Sequence, residues 1–189
     1  MGDTMEITVE ELLEKTITDE VIIFQTDTVY GIGCLLSSQI GVETLYEIKK
    51  RDGRKPLAVL CACVDDVKDL VKEFEIIKPF ALAYWPGALT LICPKSDMVP
   101  DYVTSGLDSV GVRIPNDEIA LRILRRFGPM AVTSLNLSNE PAITLYQDAL
   151  SYVNMVDYLV VGKDLNRISS TVYDPILHKT LRQGDIIIK

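Results

Sequence analysis

The chain has 189 residues, 48% of them apolar and 24% charged, with 27 Asp and Glu against 19 Lys and Arg. This is globular composition at a length that buries roughly 70% of the unfolded surface, which excludes a disordered, fibrous or disulfide-dependent protein. A net charge of -8 excludes nucleic-acid binding through bulk charge, and leaves room only for a local basic patch.

Strand and helix patterns alternate throughout, which predicts a single α/β or α+β domain over 1–189. Thr8 and Glu11 form a capping box that opens a helix at about 8–15. VIIFQ (21–25) reads as a buried strand, running into TDTVYGIGC as a polar turn with glycines. Ile40, Leu45 and Ile48 have helical spacing over 39–50. The basic turn KKRDGRK follows, then the buried strand PLAVLCA (56–62). Val64 to Phe74 predicts one amphipathic helix, with Val67, Leu70, Val71 and Phe74 on its inner face, and a short helix over Pro79 to Tyr84. Trp85-Pro86-Gly87 predicts a tight turn.

TLICP (90–94), SVGVRIP (109–115), PMAVTSLN (129–136), YLVVG (158–162) and STVYD (170–174) read as strands, with the terminal DIIIK closing the sheet. Asn116 or Asp117 caps a helix to about Phe127. Cys34, Cys61 and Cys93 lie in apolar runs and read as buried reduced thiols, because the spacings and the lone His178 make no zinc set. The polar start and the absence of an 18-residue apolar run predict a soluble cytoplasmic protein without a membrane partner.

Four polar clusters stand where apolar runs stop. Thr26-Asp27-Thr28 is a hydrogen-bonded turn or a site. KKRDGRK (49–55) is a solvated face or a polyphosphate clamp, since Arg offers a planar fork and Lys a compact charge. Thr133-Ser134-Leu135-Asn136 caps local backbone or binds a sugar, phosphate or carboxylate. Arg182 follows Ser169-Ser170-Thr171. No Walker loop, G-x-S-x-G or metal-hydrolase motif is present. The composition suits a site that works by positioning and charge neutralisation.

TDTVYGIG resembles the P-T-[DE]-T-V-Y-G-L-G signature of the YrdC-like family, with Gln25 in place of Pro. IKKRDGRKPL resembles I-K-x-R-x-x-x-K-P-L, YWPGALTLI resembles W-P-G-x-L-T-L, and VGVRIPN resembles V-R-x-P. TSLNLSNEPA, SSTVYD and LRQGDI resemble S-A-N-x-S-G-x-P, S-T-V-x-D and L-R-x-G, in the family's order over about 20–186.

The resemblance implies a twisted mixed sheet flanked by helices, with an open concave face. The implied activity is nucleotidyl transfer: L-threonine, bicarbonate and ATP give threonylcarbamoyl-AMP and pyrophosphate, feeding threonylcarbamoyladenosine formation in tRNA through a transfer partner. Mg²⁺ would accompany ATP, held by substrate oxygens and water, with no protein metal site.

Residue by residue, the resemblance implies that Thr28, Arg113, Asn136 and Ser170 meet L-threonine, Arg113 by pairing its carboxylate. Lys49, Arg51 and Lys55 would face the phosphates, Lys49 and Arg51 as catalytic cations. Ser109, Ser134, Thr144 and Arg182 would contact the nucleotide. Three further departures bear on the pocket. Leu60 replaces a polar residue, often His, Leu135 replaces an Ala and is expected to narrow the pocket, and Asn139 replaces a Gly. Two other readings stay open: a double-stranded RNA or tRNA-binding module using Arg122, Arg125 and Arg126, and a non-catalytic paralogue.

Overall fold

The computed structural model describes residues 5–50, 55–137 and 139–188. Its ten strands are β1 (Met5–Ile7), β2 (Ile22–Phe24), β3 (Gly31–Leu35), β4 (Ala58–Leu60), β5 (Leu89–Pro94), β6 (Ser109–Arg113), β7 (Met130–Ser134), β8 (Tyr158–Val160), β9 (Thr171–Asp174) and β10 (Lys179–Arg182). They form one mixed sheet in the order β1-β8-β2-β3-β7-β4-β6-β5-β9-β10. The helices are α1 (Val9–Leu13), α2 (Gln39–Lys49), α3 (Val64–Leu70), α4 (Phe74–Tyr84), α5 (Asp101–Thr104), α6 (Glu118–Phe127) and α7 (Tyr146–Leu150).

The period-two alternation of each strand sends side chains into two separate cores. Ile23, Ile32, Val59, Leu91 and Val112 pack on one face with Leu45 of α2, Val67 of α3 and Ile77 of α4. Ile22, Phe24, Leu60, Met130 and Val132 pack on the other with Leu12 of α1 and Ile123 and Leu124 of α6. The second core covers only part of its face, ending at β7 and β4. Ala58, Ile92 and Val172, further along that face, remain half-exposed.

Capping follows the sequence. Thr8 Oγ1 accepts from Glu11 N at 3.2 Å while Thr8 N donates to Glu11 Oε2 at 2.9 Å. Asp117 caps α6 by accepting from Ala120 N at 3.0 Å.

Several expectations are corrected. GIGC is not a turn but the central strand β3, and it needs glycine for space: a Cβ on Gly33 would lie 2.7 Å from Val132 Cγ2. Ile40 is 61% exposed, because Gly41 occupies the inner position against Cys34. The helix expected over 64–74 ends at Leu70. Val71 is extended and bridges Lys95, and Lys72 N donates to Pro94 O, so pairing with the end of β5 overrides helical periodicity. The next helix therefore begins at Phe74, earlier than expected, with Pro79 inside it. Residues 185–188, the described part of DIIIK, form no strand. The closing strand is β10, and the last residues are tied by Thr171 Oγ1 donating to Ile186 O at 2.7 Å. Strand β1 and helices α5 and α7 are additions.

Candidate functional site

The uncovered half of the second sheet face forms the floor of a cavity of about 330 Å³. Residues from β3, β7, β4, β6, β5, β9 and β10 all line it, so seven neighbouring strands curl around one hollow. The register makes the floor. Gly111 of β6 pairs with Ala58 on one side and Ile92 on the other, and Ala58 pairs with Val132. One step along, Leu60 pairs with Arg113, and beyond β5 Thr90 pairs with Val172 and Val172 with Arg182. Small residues thus sit in the middle of the floor and arginines at its margins.

Arg113 ends β6 and is 5% exposed. Its Nε donates to Gly87 O at 2.9 Å and one terminal nitrogen to Thr28 Oγ1 at 3.1 Å. The other terminal nitrogen forms an ion pair with Asp27. Burial pulls the guanidinium below its ordinary pKa, and the Asp27 carboxylate opposes that shift. The turn that carries both partners is self-bonded: Thr26 Oγ1 donates to Val29 O at 2.7 Å and accepts from Thr28 N at 3.1 Å.

Across the cavity, Ser170 Oγ lies 2.9 Å from Thr90 Oγ1. Arg182 donates to Ser170 O and Oγ, both at 3.0 Å. Ser134 lines the cavity where β7 ends, and its hydroxyl donates to Asn136 Oδ1 at 2.7 Å.

Thr28, Arg113, Ser134, Ser170 and Arg182 therefore share one cavity. Other candidates are placed differently. Lys49 is 2% exposed, and its ammonium donates to Asn136 O and Oδ1, both at 2.9 Å, and to Ser134 O. It supports the loop after β7 from beneath. Asn136 supports the same loop, donating to Leu137 O and Glu140 O at 2.8 Å, and does not line the cavity. Lys55 donates to Asn139 Oδ1 at 3.2 Å. Ser109 lies on the same face of β6 as Arg113 but lines a neighbouring hollow of about 300 Å³, with Ile92 bordering both. Thr144 is outside the cavity lining, and its carbonyl accepts from Leu165 N at 2.8 Å. Arg51 lies outside the described residues.

Leu60 lines the cavity as expected, whereas Leu135 is fully buried in the first core and does not narrow the cavity. Asn139 takes a φ of 72°, a left-handed conformation that glycine and Asn adopt most readily. Asp27, in the polar cluster after β2, is brought in as the partner of Arg113, and Thr90 is a cavity residue that the sequence reading does not single out. A lone hydroxyl in the apolar strand LTLIC is the one signal by which sequence could have found Thr90.

Among the described residues, no group of three or more His, Cys, Asp or Glu side chains could hold a metal ion. The cavity's donors are hydroxyls and guanidinium groups, which suit anions. A divalent ion carried in on a nucleotide fits this set only through phosphate oxygens and water. No helix among the described residues is long and apolar enough to cross a membrane.

A sequence model of the Sua5_yciO_yrdC family, described as "Telomere recombination", matches residues 15–184. Threonylcarbamoyl-AMP synthase of Pyrococcus abyssi is 35% identical over 159 residues, covering 82% of this chain and 47% of that protein. The Bacillus subtilis protein of the same name is 40% identical over 129 residues, covering 67% and 37%. A Vibrio cholerae protein of that name is 31% identical over 170 residues, covering 87% and 90%. The chain thus spans half or less of the first two relatives and most of the third. Sua5 of P. abyssi complexed with L-threonine superposes with a TM-score of 0.82 at 33% identity, over 88% of this chain and 51% of that one. A family match over most of the chain, joined to this shared fold, means that the chain belongs to the Sua5/YciO/YrdC family.

Proposed function

We propose that the chain is a threonylcarbamoyl-AMP synthase, a nucleotidyltransferase that joins L-threonine, bicarbonate and ATP with release of pyrophosphate. The observation that carries this reading is the gathering of Thr28, Arg113, Ser134, Ser170 and Arg182 around one cavity. Its chemistry fits the substrates. Arg113 has five N–H groups, and its contacts to Gly87, Thr28 and Asp27 leave capacity for the carboxylate of an amino acid. Ser170 and Thr90 offer hydroxyls across the same cavity. Arg182 at the opposite margin suits a phosphate or the nucleotide sugar.

Carboxylate attack on a phosphoryl group brings two anions together, and fixed cations lower that repulsion without reorganising during the reaction. Lys49 contributes by fixing the loop that presents Ser134, and Arg51 and Lys55 supply charge near the phosphates. ATP enters with Mg²⁺ held on its own oxygens. The product passes to a threonylcarbamoyl-transfer partner acting on tRNA.

The test is pyrophosphate release from ATP and Mg²⁺, with bicarbonate and L-threonine each present or omitted. Release that requires both, and falls when L-serine replaces L-threonine, supports the reading. ATP binding without release overturns it in favour of the non-catalytic paralogue. That second reading rests on Leu60, which places an apolar side chain beside Arg113 and offers the ligand no hydrogen bond. The RNA-binding reading draws less support. Arg122 and Arg125 pair with Glu10 and Glu118, so two of the three charges are matched locally, and Arg126 is held by the Leu13 carbonyl.

A further inference from the structure

β8 and β9 are consecutive in the chain but stand second and ninth in the sheet. Seven interstrand spacings separate them, up to about 34 Å along the sheet at about 4.8 Å each. Residues 161–170 make the crossing. A helix of ten residues reaches only about 15 Å, so the segment runs as an irregular strap, and it carries no helix or strand. Its far end delivers Ser169 and Ser170 to the cavity.

The near end is anchored at one residue, Lys163. Gln25 Oε1 accepts from Lys163 N at 3.1 Å, and Tyr30 Oη donates to Lys163 O at 2.8 Å. Gln25 is 4% exposed, and its amide nitrogen donates to Asp117 Oδ2 at 2.6 Å. Gly162 fits so closely beneath that a Cβ there would collide with Tyr30 Oη and lie 2.9 Å from Gln25 Oε1. Further contacts hold the same stretch: Leu165 N donates to Thr144 O at 2.8 Å, and Asp164 Oδ1 accepts from Tyr146 N at 2.9 Å. Between this anchor and Ser169, Asn166, Arg167 and Ile168 are exposed.

We propose that Gln25 is a positioning residue. It ties the strap to the α6 cap and so sets where Ser169 and Ser170 enter the cavity. A proline, which the family signature carries at this place, has neither the acceptor for Lys163 N nor the donor for Asp117. This chain therefore uses a side-chain brace at a position where a proline stiffens the backbone alone. Gln25 itself does not line the cavity, although the next residue, Thr26, does, so exchange at Ser169 and Ser170 is the readout that separates the strap from the turn at Thr26.

The experiment combines Gln25→Glu, Gln25→Met, Asp117→Asn and the double variant Gln25→Glu/Asp117→Asn. Gln25→Glu sets a carboxylate against the Asp117 carboxylate. Gln25→Met keeps the volume and removes both hydrogen bonds. In the double variant the introduced amide can donate to the introduced carboxylate, whose second oxygen still accepts from Lys163 N. Asn also caps a helix about as well as Asp.

Hydrogen exchange followed by mass spectrometry is expected to speed up about tenfold across 163–170 in both single Gln25 variants, as loss of one buried hydrogen bond implies. The double variant should recover. Resting on the proposed function, KM for L-threonine should rise about tenfold in the single variants with kcat within about twofold, and recover in the double variant.

Unchanged exchange overturns the anchor. Faster exchange confined to 163–165, with Ser169 and Ser170 and the KM unmoved, overturns the positioning role. If the parent protein turns over no threonine, exchange at Ser169 and Ser170 alone decides: acceleration reversed in the double variant supports the proposal, and constancy overturns it. Thermal unfolding of each variant separates these local effects from global destabilisation.

Discussion

Arg113 is a cation in a place that water barely reaches, and Asp27 is the group that makes the burial tolerable. Their side chains are 7% and 9% exposed. Taking one partner away leaves the other charge buried and alone, which typically costs about 3–5 kcal/mol, whereas removing both at once costs far less. Asp27→Ala is therefore expected to lower the urea-unfolding free energy by about 3 kcal/mol or more. Asp27→Ala/Arg113→Met should regain most of that loss. Equal, additive losses in the two backgrounds would show that the ion pair does not couple. The same scale explains why Lys49 is opaque in sequence. A lysine beside a basic run reads as a phosphate ligand, and nothing in residues 49–55 announces that its ammonium will find the carbonyls of Ser134 and Asn136, 85 and 87 positions away. Long-range burial decides the role, and spacing carries no record of it. Leu135 fails to narrow the cavity for a related reason: its strand has ended, so alternation no longer says which way it points.

The strands that build the cavity floor are legible because each centres on a short, largely apolar run, LTLIC, VGV or MAV, bounded by polar residues or proline. Elements whose boundary is set by a neighbour are not. Val71 continues the helical pattern and leaves the helix only because the end of β5 pairs with it. β10 (KTLR) has one apolar residue and exists through its register with β9, while the more apolar DIII (185–188) lies outside the sheet. Gly111 ties element to function. A Cβ there would sit 3.2 Å from Ile92 Cδ1 and from Thr90 Cγ2, so the floor has room for one methyl at most. Gly111→Val should fill the centre of the cavity and leave Arg113 and Arg182 in place. Calorimetry should show ATP and L-threonine binding weakened at least about tenfold in Gly111→Val, about 1.4 kcal/mol, and much less in Gly111→Ala. Undiminished binding would move the ligand off this floor.

At the scale of the molecule, the sheet carries one complete core and one partial core, and the complete core contains the thiols. Cys34, Cys61 and Cys93 are buried there, as their apolar surroundings in the sequence suggest, and Cys63 is exposed. Burial pushes the Cys34 and Cys93 thiols up to about 12 from 9.0, and raises Cys61 as well. Tyr30 is pushed up to about 12 from 10.0, by burial first and then by the charges of Asp164 and Asp117. Each is an acid whose neutral form the fold prefers. Each therefore contributes stability that is complete below its unfolded pKa and is lost as pH rises towards the folded value. The thiols begin to withdraw their contribution above pH 9, and Tyr30 above pH 10. By pH 10 each thiol has given up about 1 kcal/mol or slightly more, and the three together about 4 kcal/mol. That is a large share of the 5–15 kcal/mol typical of a domain. Urea unfolding in the presence of reductant is expected to give a nearly constant free energy from pH 7 to 8.5 and a steep fall beyond 9. The Cys34→Val/Cys93→Val double variant, whatever its stability at pH 7, should lose only about a third as much between pH 8 and 10. An equal loss in that variant would place the alkaline sensitivity elsewhere, with Tyr30 as the next group to test.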